Sequence, residues 1–400
     1  MLGVAWGANQ VPPLLPVYRA QDHLTPVPAA GMVGTYGLGL VLFHFVARSF
    51  TGRYGPRAAV RLGTLLSLMS TLVMCGGDAL LWTLYPGRLL AGVASAFAFG
   101  AGSLWIGQFS KRSGERKGAR RAAVALSAGS GGGPAVSGAV AQWLPAPAFL
   151  PYLVHALLML LVIPLVWRVP GPTRTVAARR TGRLLPAAAR RRRFLLGVVP
   201  WAPWASGTTS VGCTVLPAVV ADRISTVAPV FGGGVAGLVF LARIAVQPLA
   251  RRLGAIGRLR LRTAGLSTAT AGLAGCALAA STGEVFLVPV VAVVLGSADG
   301  LLFVSGSLEV DRPADAGEAM SVRALFHALT YLGTVIPFLL SVFAQGGGYT
   351  APLLVAALVP LAAVPLAATA AGASPRAQPP APRLTDVPVD PSSCCPARKT

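Results

Sequence analysis

Acidic residues are almost missing from this chain. Asp and Glu number 12 in 400 residues against 34 Lys and Arg, and all charged residues together make up 12%. A soluble globular chain carries about a quarter charged residues, so composition excludes an ordinary water-facing surface. Lysine is rarer still, three against 31 arginines, an imbalance that fits GC-rich coding rather than a function. There are five cysteines: Cys75, Cys213 and Cys276 in apolar stretches, and the tail pair Cys394–Cys395. Their scatter excludes a disulfide framework and offers no metal spacing. No helical His pair, phosphate-cradling Gly-Lys loop or nucleophile elbow occurs, and Gly131-Gly132-Gly133 lacks the lysine of such a loop. Neither an enzyme nor a cofactor or metal is therefore expected. A basic start and a small-residue cleavage site are also missing, so no cleavable signal peptide is expected.

What is abundant is apolar sequence, at 54% of residues. A membrane-crossing helix needs about 20 predominantly apolar residues. Twelve such stretches are predicted, at about 2–18, 29–47, 62–81, 83–107, 122–144, 148–167, 194–221, 227–248, 261–281, 285–307, 321–344 and 348–371. The basic residues follow every second one. They cluster at 48–61, 111–121, 168–193, 251–262 and 312–323, which together hold 26 of the 34 Lys and Arg, whereas the alternate loops carry only Arg19 and Arg223. Loops retained in the cytoplasm keep such charges. The alternation predicts a multi-pass plasma-membrane protein with both termini cytoplasmic. The net charge of +22 then reflects retention and contact with anionic lipid heads, not a nucleic-acid partner.

The longest internal polar segment divides the spans six and six. The expected organisation is a six-helix bundle over 1–168, a basic linker at 169–193, a second bundle over 194–371 and a disordered Pro-rich tail at 372–400. The first span is short and contains Pro12, Pro13 and Pro16, so it is either kinked or begins upstream of Met1. The halves also echo each other. Leu15-Pro16 matches Leu216-Pro217, and Arg53-Tyr54-Gly55 matches Arg252-Leu253-Gly254. Two six-helix halves repeated in parallel around a midplane site are a transporter architecture.

Four stretches resemble motifs of the major facilitator superfamily, over residues 1–371. Thr51-Gly52-Arg53-Tyr54-Gly55-Pro56-Arg57 resembles the loop between the second and third helices, with Gly52 where an Asp is usual. Leu249 to Gly254, with Arg252, echoes that loop in the second half. Arg88-Leu89-Leu90-Ala91-Gly92 resembles the fourth-helix motif, whose buried Arg the family uses in proton coupling. Gly129-x3-Gly133-Pro134-x2-Ser137-Gly138 resembles the fifth-helix motif of the twelve-helix drug:proton antiporters, with Ala122 and Ser137 replacing two glycines. Glycines four apart let helices approach closely, and Pro134 removes a backbone donor. Such a helix can seal one half against the other. The resemblance implies an all-α fold of twelve transmembrane helices in two pseudo-symmetric bundles.

Ionisable groups inside the bilayer are costly and point to function. Arg88, Asp299, Arg243 and His44 stand out, Arg243 occupying the repeat position of His44. Asp299 must pair, take up a proton or meet water, and Arg243 is a candidate partner. His155 and His327 are expected to be ordinary hydrogen-bonded histidines. Helices one and seven flank the cavity in the superfamily. They offer Trp6, Asn9 and Gln10 in the first, and Trp204, Ser206, Thr208 and Thr209 in the seventh. Aromatics beside hydroxyls suit a partly apolar organic substrate. The expected activity is proton-coupled export of a small lipophilic or cationic molecule by a monomer. Uptake or exchange of a metabolite, and a non-transporting sensor or scaffold, are the competing readings.

Overall fold

The proline content of the first span decides its shape. The computed structural model describes residues 1–110, 115–170, 192–310 and 316–372. The predicted 169–193 linker and 372–400 tail, with Cys394 and Cys395, lie almost wholly outside these residues. Span one is broken into α1 (Leu2–Asn9), a 3₁₀ turn (Pro12–Leu14) and α2 (Leu15–Gln21). Pro12 and Pro13 supply no N–H to the carbonyls of Ala8 and Asn9 four residues earlier, so the helix cannot run through.

Spans two and three form one helical run, α3 (Pro26–Cys75), bent at Gly55 with φ 84° and ψ 163°. That conformation is essentially glycine-only, which accounts for the Gly of the loop motif. A side chain there would meet nothing within 4 Å, so any penalty is backbone strain alone. Gly55→Ala is expected to lower stability by about 1–3 kcal/mol, read as a lower melting temperature in detergent. In the second half the bend falls instead at Gly257, between α10 (Gln247–Ile256) and α11 (Arg258–Thr282). Gly254, the sequence match to Gly55, is inside α10 and packs under Leu308.

The remaining elements are α4 (Leu84–Phe109), α5 (Glu115–Trp143), α6 (Leu150–Arg168), α7 (Arg192–Gly197), α8 (Ala202–Ala218), α9 (Ala228–Ala245), α12 (Leu287–Val310), α13 (Ala316–Leu332), α14 (Ile336–Phe343) and α15 (Thr350–Gly372). Among the described residues, all secondary structure is helical. Seven helical segments there are long and apolar enough to cross a membrane, and the first, Pro26–Asp78, holds two of the predicted spans. The other four predicted spans are the broken first one, α5, the shorter α8 and α15. The protein is an all-α, twelve-helix membrane protein built as two six-helix bundles.

Buried apolar clusters respect that division. The largest draws only on residues between Phe194 and Ala363, and three others only on residues between Val4 and Met159. The halves meet along two glycine-lined seams. The first arm of α3 packs against α13 and α14, where Gly37 leaves room for Thr334 and Gly31 lies against Phe338. On the other side α5 packs against α9, where Gly138 faces Pro229 and Gly233, and Gly131 faces Phe240 and Gly237.

Candidate functional site

Two buried charges on equivalent helices organise the centre, one in each half. Arg88, on α4, is 1% exposed. Its Nη1 donates to the carbonyl of Ala8 at 2.7 Å, and its Nε to that of Met32 at 3.2 Å. The Ala8 carbonyl is the one left without a helical partner by Pro12, so the proline break and the arginine form one device. The guanidinium also stacks over the Tyr36 ring, 4.7 Å from its centroid. Asp299, on α12, is equally buried. Its Oδ2 lies 3.1 Å from Nε of Arg243 on α9 and accepts a 2.6 Å hydrogen bond from the Thr209 hydroxyl on α8. Thus α4 ties down spans one and two, and α12 ties down spans seven and eight. Arg243 was one of the interior bases open to Asp299 from the sequence, and it is the one paired with it. Arg243 is also 5.2 Å from the Phe303 ring centroid.

Between these groups lies a cavity of about 50 Å³, whose lining includes Asn9, Tyr36, Arg88, Thr209, Ser210 and Cys213. A second cavity of about 110 Å³ continues away from the basic loops, between Pro12 to Arg19, the start of α3, and the region from Cys213 to Ala228. Pro12, Cys213 and Thr214 line both cavities.

At the end bearing the basic loops the halves are joined. Arg48 donates to the Ser321 hydroxyl at 3.1 Å. The rings of His44 and His327 lie 6.4 Å apart, and His44 meets Tyr331 edge-on at 5.6 Å. Nε2 of His44 and Nδ1 of His327 are buried without a hydrogen-bond partner among the described residues. An ordinary hydrogen-bonded histidine is expected from the sequence at His327, and its Nδ1 makes no such bond among the described residues. His155 is such a histidine: its ring bonds Thr71 Oγ1 at 2.7 Å and the Gly3 carbonyl at 2.9 Å.

Of the residues expected in the cavity, Asn9 and Thr209 line it. Trp6 lies against Gly133 of α5. Trp204 is in the apolar core of the second half. Thr208 bonds back to Ala205 at 3.2 Å. Ser206 donates to the Thr330 carbonyl. Gln10 is fully buried, with neither side-chain polar atom partnered among the described residues. Sequence reasoning missed Tyr36, Ser210 and Cys213 because a helix face is defined by its neighbours. The signal for Arg88's main partner was present, in Pro12 four residues after Ala8.

Residues 1–336 match the family described as Major Facilitator Superfamily. The chain belongs to the major facilitator superfamily. Solved structures with the same fold include the nucleoside transporter NupG, at TM-score 0.69 and 12% identity, covering 93% of this chain and 96% of that one. A D-xylose–proton symporter matches at TM-score 0.65 and 17% identity, over 90% and 94% of the two chains. A POT family transporter in complex with 5-aminolevulinic acid matches at TM-score 0.71 and 12% identity, over 92% and 93%. No curated protein matches the sequence.

The superfamily motifs occupy distinct places. In the loop motif, Arg57 donates at 3.1 Å to the carbonyl of Trp167, near the end of α6. Arg61, just beyond the motif, donates to the same carbonyl at 2.7 Å and stacks over the Trp167 ring. A helix C-terminus leaves carbonyls without helical partners, and these arginines supply donors within the same half. Arg53 lies over Tyr54, and Arg252 is exposed. The fifth-helix motif works on two faces. Gly129 and Gly133 admit α1, at Leu2, Ala5 and Trp6, inside the first half. Gly138 instead meets α9 across the seam, and Gly233 in turn abuts the Pro134 carbonyl. Of the motif residues, Gly138 and Pro134 touch the other half, while Gly133 packs against span one.

Proposed function

We propose that this superfamily member is a secondary active transporter working by alternating access and coupled to protons through Asp299. The observation that carries this reading is the buried Asp299–Arg243–Thr209 triad, which reaches the cavity wall through Thr209. Thr209 faces the cavity and bonds Asp299 at once, so a substrate there competes for the hydroxyl that orients the carboxylate. Protonating Asp299 removes the charge that holds Arg243. Arg243 rides on α9, whose other face forms the α5 seam. Proton occupancy and bundle contact thus share one helix.

The fifth-helix motif supports export of a small, partly apolar organic molecule, acting as a monomer in the plasma membrane. The motif's resemblance to drug:proton antiporters is the ground for that direction. Uptake is the second reading, favoured by the cavities facing away from the basic end. The same centre run as a symporter would produce it. Arg88 at the cavity argues against a cationic substrate.

The test is accumulation of radiolabelled test compounds in inside-out vesicles with an acidic lumen. Export by proton exchange predicts accumulation that collapses when an uncoupler is added. Accumulation unchanged by the uncoupler would remove protons from the mechanism.

The charge pattern supports basic loops on the cytoplasmic side. With all native cysteines replaced, an impermeant maleimide added to intact cells should label Glu284→Cys and spare Arg251→Cys. The reverse pattern would invert the orientation.

A further inference from the structure

The transport reading leaves open what the cavity accepts, and the charged residues that line it and its outer neighbour, Arg88 and Arg19, are both basic. Arg88, Arg262 and Asp299 are the charged residues buried among those described. Asp299 is matched to Arg243 at 3.1 Å. Arg262 donates to the Gly197 carbonyl, away from both cavities. Arg88 has no carboxylate partner among the described residues. Two carbonyls and the Tyr36 ring solvate its charge without neutralising it. Its Nη2 makes no hydrogen bond to the described residues, and Arg88 is part of the inner cavity wall. The outer cavity adds Arg19 to its wall, and no acidic side chain lines either cavity.

A lone cation in low dielectric seeks a counter-charge, and a passage lined by one sign focuses its field on entering solutes. An arginine with free N–H donors suits carboxylate, sulfonate and phosphate oxygens. The Ser210 hydroxyl, which makes no hydrogen bond to the described residues, lines the same space as a further donor. The rest of the wall is largely apolar, with Val33, Tyr36 and Pro12.

We propose that the substrate is a small organic anion, its acidic group held by Arg88 and its apolar body by the walls around it. This rests on the transport reading. It makes Arg88 a specificity-determining residue that touches substrate, distinct from the coupling centre at Asp299.

Cys213 provides a reporter, because it lines both cavities. In a variant with Cys75, Cys276, Cys394 and Cys395 replaced by Ala, Cys213 is treated with two thiosulfonate reagents of equal length. One carries a sulfonate and the other a trimethylammonium. Each rate is divided by that reagent's rate with free 2-mercaptoethanol. Thiolate content affects both reagents alike, so the ratio reports the field in the cavity. The sulfonate reagent should react about tenfold faster. Arg88→Gln should bring the ratio near one, while Arg88→Lys, which keeps the charge, should preserve most of it. Equal rates in the parent, or a faster cationic reagent, would overturn the anion proposal and leave transport standing. If neither reagent modifies Cys213, the comparison moves to Ser210→Cys. Lack of reaction there too would mean that solutes do not enter, overturning this proposal and the transport reading together.

Discussion

Asp299→Asn should reduce gradient-driven accumulation to the level of empty vesicles. The substitution keeps the shape of the side chain and removes its charge, as protonation does. It leaves Arg243 without its 3.1 Å partner and converts the Thr209 contact into a hydrogen bond between neutral groups. With the neutral state fixed, there is no proton to exchange between the two sides. Exchange of labelled for unlabelled substrate across the membrane needs no net proton movement, so it should persist. That split separates a coupling residue from a structural one. A structural role alone would cost both activities together through misfolding. Full gradient-driven accumulation by Asp299→Asn would move coupling elsewhere.

Gly138→Leu is expected to abolish transport while the protein still reaches the membrane. A Cβ at this position falls on the Pro229 carbonyl, with the Gly233 backbone beside it, so neither neighbour can rotate away. The α5–α9 seam must open by the thickness of a side chain, and overpacking of this kind costs about 1–3 kcal/mol. The cost falls on the contact between halves rather than on the core of either. Gly132→Leu is the control, because nothing lies within 4 Å of a Cβ there, and it should transport normally. Gly133→Leu differs again. It strikes Trp6 at 2.8 Å inside the first half, so reduced stability should accompany any loss of activity. Normal transport by well-expressed Gly138→Leu would show that the seam is not part of the working cycle.

The number of spans and the division into halves were legible because the bilayer imposes a fixed length of apolar helix and charge resists crossing. The break in span one was half legible. Pro12, Pro13 and Pro16 show that a straight helix cannot form, but not that Arg88 completes the break from α4. That Asp299 must find a partner was readable from its place inside a span, with Arg243 only one candidate. Thr209 as the third member was not, since its placement depends on how α8 sits against α12. The fifth-helix glycines were recognised as close-packing positions, but which of them face α1 and which face α9 is a matter of helix rotation. The repeat aligned Gly55 with Gly254, and it carried no signal of where the second half bends. The second half turns at Gly257, where φ is 176° and no left-handed residue is required. His327 was read as an ordinary hydrogen-bonded histidine because a lone histidine carries no local mark of the ring neighbour, here His44, that lies across an interface.

The most direct measurement of alternating access is a pair of spin-label distances in the purified protein, one at each end. Labels on Arg53→Cys and Arg251→Cys report the basic end, and labels on Ala20→Cys and Ser225→Cys the opposite end. All native cysteines are first replaced. Two populations are expected at each end, and Asp299→Asn should shift them in opposite senses, one end closing as the other opens. A single unchanged distance at both ends, in the parent and in Asp299→Asn alike, would contradict a transporter whose halves move under the control of that carboxylate.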